Sequence, residues 1–152
     1  MLEDAFCEVY TKFKLHFYSK IFKRFQHREA SLTAVETFCV EAIYALERPT
    51  VNEFATFTQI SPPNATYKIN NLVKKGYIRK VRSEDDKREY YLEVTDKFLA
   101  YYGITYDYIT LVMDRISQRF PQQDIEKLNS MLEIISHELM PEVTLQRDSK
   151  ES

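Results

Sequence analysis

Between Ser61 and Arg82 the chain carries no acidic residue, yet it holds Asn64, Thr66, Tyr67, Lys68, Asn70, Asn71 and Lys74. Wound as a helix at about 100° per residue, this stretch puts Ala65, Ile69, Leu72 and Val73 on one side. The opposite side then holds Pro63, Asn64, Tyr67, Asn70, Asn71 and Lys74, with Thr66 and Lys68 on the flanks. An asparagine side chain presents a donor and an acceptor that match the major-groove edge of adenine. Threonine and tyrosine supply methyl or hydroxyl contacts, and lysine serves guanine or phosphate. Solvent-facing helices usually mix Glu with Lys, whereas an acid-free polar face suits an anionic surface. The chemistry these residues can do is recognition.

A second group follows in the chain: Arg82, then Asp86, Lys87 and Arg88. Residues 68–88 hold eight bases against three acids, and residues 9–28 hold six bases and no acid. The formal net charge is only −2, so about −13 falls on the remainder and the charge is sharply polarised. A basic segment can therefore meet phosphate although the whole chain is slightly acidic.

Bond-making chemistry finds little support. Gly76 and Gly103 are the only glycines and stand far apart, which excludes Gly-rich phosphate and dinucleotide cradles. His16, His27 and His137 occur in no ligand spacing, so no metal and no cofactor is expected. No Ser or Cys has a His at a suggestive spacing for an activated nucleophile, and an enzyme is not expected. Cys7 stands one turn before Tyr10, and Glu8 beside it disfavours the thiolate. Cys39, between Phe38 and Val40, reads as a buried apolar filler.

The elements that must position these groups are legible from period and punctuation. Phe6, Val9, Tyr10, Phe13, Phe17, Ile21 and Phe25 form one apolar stripe on a long helix over about 4–28. Thr33 with Glu36 makes a capping box for a helix over 33–47 that carries Phe38, Ile43 and Leu46, and Thr50 with Glu53 repeats the box for a short third helix. Ser61 followed by Pro62 and Pro63 starts the fourth, and Gly76 stands where a left-handed residue ends it. The period then changes to two. Residues 77–82 and 89–94 alternate as a hairpin around Ser83–Asp86. Thr95-Asp96 opens a helix to about Arg119, with Gly103 as a kink, and Pro121 opens a last one with Ile125, Leu128, Leu132, Ile135 and Leu139 on one face.

Two short helices, a tight turn and a basic hairpin follow the order of a winged helix–turn–helix. The run from LTAVETF through ISPPNATYKINNLVKKGYIRKVRSEDDKREYYLEVTDK resembles the multiple-antibiotic-resistance repressor (MarR) family, most specifically at NNLVKKGYI, at the Asp-x-Arg of Asp86 and Arg88, and at VTDK. The resemblance implies a mainly α fold with a small β-hairpin wing. In that fold 1–32 and 96–145 are dimerisation helices, 33–95 is the DNA-binding lobe, and 146–152 is a frayed tail. It implies a bacterial, cytoplasmic, sequence-specific regulator: a homodimeric repressor on a pseudo-palindromic double-stranded DNA operator, released by a small effector, with no membrane partner. Ser61, Pro63, Asn64, Thr66, Tyr67, Lys68, Asn71, Lys74, Arg82, Asp86, Lys87 and Arg88 are the expected DNA-binding residues. By family analogy Asp86 braces the wing and Arg88 reaches the minor groove. Phe13, Phe17, Phe38, Tyr102 and Tyr106 are the candidates for a pocket that takes an aromatic or lipophilic effector. A redox regulator sensing through Cys7 and an all-helical protein–protein adaptor are the alternatives.

Overall fold

A computed structural model describes residues 1–26, 32–102 and 104–145. The chain divides into two compact units, Met1–His27 with Tyr102–Thr144, and Arg28–Tyr101 with Leu145–Ser152.

In the second unit, helices α2 (Ala34–Ala45), α3 (Val51–Thr58) and α4 (Pro62–Lys74) precede strands β1 (Ile78–Arg82) and β2 (Tyr90–Val94) and helix α5 (Asp96–Tyr102). Each start has a chemical cause. The Glu36 N–H donates to Thr33 Oγ1 at 3.2 Å while Glu36 Oε2 accepts from the Thr33 N–H at 2.9 Å, closing the capping box of α2. Thr50 Oγ1 accepts from the Glu53 N–H at 3.1 Å to begin α3. At Ser61 the backbone caps α4, its carbonyl accepting from the Ala65 N–H at 2.9 Å, while the hydroxyl makes no capping bond; Pro62 and Pro63 stand at the first two helical positions, where a missing N–H costs little. The helix ends at Gly76, whose φ of +82° is the left-handed value its position calls for.

The strands pair antiparallel in the register Ile78↔Val94, Lys80↔Leu92 and Arg82↔Tyr90. The hairpin has a neighbour that residue alternation did not reveal. The Leu92 N–H donates to the Pro49 carbonyl at 2.8 Å, and Thr50 bridges Tyr91, which anchors the start of α3 to the wing. Val40, Ile43, Phe54, Ala65, Ile69, Leu72, Tyr77, Ile78, Leu92 and Phe98 fill the core.

Two sequence expectations are corrected here. Phe38 is 63 % exposed, since Val40 and Ile43, three residues apart, set the inward face of α2. Val73, at 37 % exposed, lies off the α4 face formed by Ala65, Ile69 and Leu72. Of the helix expected over 96–119, the described residues form α5 and α6 (Ile104–Arg119), on either side of residue 103. Its first part belongs with the lobe, because Phe98 is buried with its ring 5.1 Å from Tyr44 and the Lys97 ammonium donates to the Lys75 carbonyl at 2.7 Å. The kink at Gly103 and the tail 146–152 lie outside the described residues.

The other unit holds α1 (Leu2–Gln26), α6 and α7 (Gln122–Glu138). Tyr108 of α6 meets α1 by stacking on His16 at 3.7 Å and by an edge contact with Phe13 at 5.5 Å. Desolvation there, with Lys20 and Lys23 nearby, holds His16 below the usual histidine pKa. Among the described residues none of the buried apolar side chains belongs to these three helices. Phe6, Val9, Leu15 and Phe22 of α1 and Leu132, Ile134 and Ile135 of α7 are exposed instead.

Candidate nucleic-acid interface

The polar face of α4 is built by its buried one. With Ala65, Ile69 and Leu72 sunk in the core, Pro63, Asn64, Thr66, Tyr67, Asn70 and Lys74 are exposed, and Lys68 and Asn71 are half-buried beside them. Tyr67 stands out at 68 % exposed. The far end of the helix is pinned to the lobe, since the Lys75 ammonium reaches Glu36 Oε2 at 2.7 Å. Burial alone would raise the Glu36 carboxyl, but the bonds from Lys75 and Thr33 outweigh it and hold that carboxyl below its ordinary value.

The turn before α4 depends on a residue that composition does not advertise. Gln59 takes the left-handed conformation (φ 55°, ψ 29°) as the C-cap of α3, in the role often given to glycine. Its backbone reverses the chain so that α4 packs against α3, in which Ala55 is buried.

The wing loop is organised around Ser83 and Asp86. The buried Ser83 donates its N–H to the Glu89 carbonyl at 3.0 Å, the Glu89 N–H returns to the Asp86 carbonyl at 2.9 Å, and the Asp86 N–H donates to Ser83 Oγ at 3.3 Å. Asp86 Oδ1 accepts from the Arg88 N–H at 3.0 Å and from Arg88 Nε at 3.2 Å. Those bonds hold the Asp86 carboxyl below its usual range. Arg82 Nε donates to the Lys87 carbonyl at 2.8 Å. Arg82, Lys87 and Arg88 are exposed, and the Arg88 guanidinium is forked onto Asp86, through Nε to Oδ1 and through a terminal nitrogen to Oδ2 at 3.3 Å.

On the other face of the hairpin, Glu93 accepts from Arg48 Nε at 2.6 Å and from Arg79 Nε at 2.7 Å. Arg79, burial and Arg48 act on Glu93 in that order of size, and the two arginines win by lowering its pKa. Arg48 also lies 4.5 Å over the Tyr91 ring. It has a positive φ of 70°, as Glu47 has at 54°. This cluster brings together residues 45 positions apart, and no sequence spacing signals it.

The profile of the MarR family matches residues 32–90, the stretch that builds this face and wing. That stretch is a MarR-family winged helix–turn–helix lobe. No curated protein matches the chain. Solved structures with the MarR fold do. FabT of Streptococcus pneumoniae, crystallised in complex with DNA, is 19 % identical with a TM-score of 0.56, over 91 % of this chain and 97 % of that one. A point mutant of MepR from a multidrug-resistant S. aureus clinical isolate is 14 % identical with a TM-score of 0.62, over 92 % and 98 %. A MarR family protein from Bacillus stearothermophilus is 12 % identical with a TM-score of 0.60, over 91 % and 92 %. At such identities the likeness is one of fold.

The remaining candidates are dispersed. Phe13, Phe17 and Tyr106 belong to the helical unit, with Phe13 against Tyr108 and Tyr106 exposed. Phe38 belongs to the lobe, and the side chain of Tyr102 lies outside the described residues. Cys7 is exposed on α1 and Cys39 is buried in α2, where desolvation raises its thiol. Among the described residues no cluster of His, Cys, Asp and Glu could hold a metal, and no helix is long and apolar enough to cross a membrane.

Proposed function

We propose that this chain is a MarR-family regulator, a homodimeric repressor that binds a pseudo-palindromic DNA operator and is released by a small aromatic or lipophilic effector. The observation that carries the reading is the acid-free, exposed face of α4 beside a wing that presents Arg88. A helix of this shape fits the major groove, with Asn64 and Asn71 as base readers and Thr66, Tyr67, Lys68 and Lys74 as further contacts. Ser61, whose hydroxyl caps nothing, and Pro63 lie where the helix start approaches the sugar-phosphate backbone. Arg82, Lys87 and Arg88 carry positive charge to the adjacent minor groove, with Asp86 bracing the loop.

Dimerisation follows from the helical unit. The exposed apolar residues of α1 and α7 support it, since a second copy would cover them, and two-fold symmetry is what matches two half-sites to two recognition helices. Effector release then requires a ligand that prefers a dimer with wrongly spaced recognition helices. Phe13, Phe17, Phe38, Tyr102 and Tyr106 remain the residues proposed to receive it.

The test is selection of bound fragments from genomic DNA, followed by affinity measured against salt. Binding should fall steeply, with a log–log slope of about −0.9 per phosphate neutralised. Failure to enrich any sequence, or affinity indifferent to salt, would remove the reading. A panel of aromatic carboxylates tests the effector separately. A true ligand at about 100 times its Kd should stabilise the fold by roughly 2.7 kcal/mol.

A further inference from the structure

A cleft of about 210 Å³ opens between the start of α3, the face of α4 and the root of the wing, lined by Asn52, Thr66, Lys80, Arg88, Glu89 and Tyr90 among others. Lys80 is placed there by strand register. Side chains alternate along β1, so Ile78, Lys80 and Arg82 share one face with their partners Val94, Leu92 and Tyr90. Because Ile78 and Leu92 are buried, that face turns inward toward the helices, and Lys80 continues it outward past the core. Arg79 points the other way and is neutralised by Glu93. Among the described residues no carboxylate lies within ion-pairing distance of Lys80. Its ammonium sits 4.8 Å from the centre of the Tyr90 ring.

We infer that this cleft seats one phosphodiester of the operator backbone, with Lys80 as its anchor and Asn52 and Thr66 as hydrogen-bonding partners. The inference rests on the DNA-binding reading of α4 and the wing and extends it to Lys80 and Asn52, which that reading does not use. A helix in the major groove and a wing in the adjacent minor groove must straddle the sugar-phosphate strand that separates the two grooves. Thr66 lies on the helix side of the cleft and Arg88 on the wing side, so the strand passes over it. Lys80, Arg88 and Glu89 are the charged groups lining the cleft; Arg88 is already paired with Asp86, so Lys80 is the cation of the cleft without an ion-pair partner among the described residues. The Tyr90 ring shields one side of the Lys80 ammonium and leaves the rest to an anion.

Three variants read this directly on a mixed-sequence duplex, since a phosphate contact is indifferent to base sequence. Lys80→Ala should lower affinity equally on every duplex and reduce the salt slope by about 0.9. Asn52→Asp places a carboxylate in the first turn of α3, which favours that helix, so thermal stability should hold or rise while duplex affinity falls by about tenfold or more. Glu89→Gln removes the opposing charge and should tighten binding severalfold at low salt, with the gain disappearing at high salt.

Wild-type affinity and slope in Lys80→Ala and Asn52→Asp, with Arg88→Ala still impaired, would overturn the phosphate seat and leave the DNA-binding reading intact. Absence of duplex binding by the wild-type protein would remove both. A titration with inorganic phosphate separates a free anion from DNA. Saturable binding that Asn52→Asp abolishes, with duplex affinity untouched, would also overturn the inference.

Discussion

Glu41 of α2 has a buried carboxylate oxygen, Oε1, with no hydrogen-bond partner among the described residues, and burial pushes its pKa up from 4.5 to about 7. Replacing it by Gln should therefore stabilise the protein at neutral and alkaline pH but not in acid. The raised folded-state value means that the folded protein holds this proton after the unfolded chain has released it. Between the two values the unfolded state binds fewer protons, so stability falls as pH rises, and the full contribution is present only below the unfolded value. A displacement of roughly two and a half units, at about 1.4 kcal/mol each, sets a ceiling of about 3.5 kcal/mol. Water reaching a side chain that is not fully enclosed lowers this to about 1–3 kcal/mol. The Glu41→Gln protein should match the wild type near pH 4 and exceed it by that amount near pH 8. Urea-denaturation midpoints, measured across this range at a fixed protomer concentration, are the assay. Parallel stability curves for the two proteins would show that Glu41 ionises normally and that its burial has been misjudged.

Gln59→Gly should raise stability by about 0.5–1 kcal/mol in the same assay, because glycine relieves the left-handed backbone at the turn between α3 and α4. Arg88→Ala should weaken duplex binding by roughly 1–3 kcal/mol and flatten the salt slope by about one unit, as read by fluorescence anisotropy. Asn64→Ala and Asn71→Ala should relax base preference in a binding selection while leaving the salt slope nearly unchanged. Equal losses on every sequence for all three would reverse the assignment of readers and anchors.

What the sequence disclosed was local chemistry. Thr33 with Glu36, the Pro62-Pro63 start and Gly76 each act within a few residues, so their spacing alone located α2 and both ends of α4. The acid-free face of α4 was legible because three buried positions dictate the opposite side of a helix. The Arg48–Glu93–Arg79 cluster was not, since its members come from different elements and meet only when the hairpin packs. Gln59 escaped for another reason: its left-handed backbone is imposed by the crossing of two helices and not by its side chain. The bridge from Thr50 to Tyr91 is a single pair, too short to leave an alternating pattern. Lys80 looked like one lysine among eight bases until the strand register assigned it a face.

The most direct measurement is hydroxyl-radical footprinting of a selected duplex, with the mass of the complex determined by sedimentation. Two protomers per duplex are expected, protecting two half-sites whose centres lie about 10 base pairs apart or a multiple of it. A single protomer on DNA, or protection without two-fold symmetry, would contradict a homodimer that reads its operator through paired α4 helices.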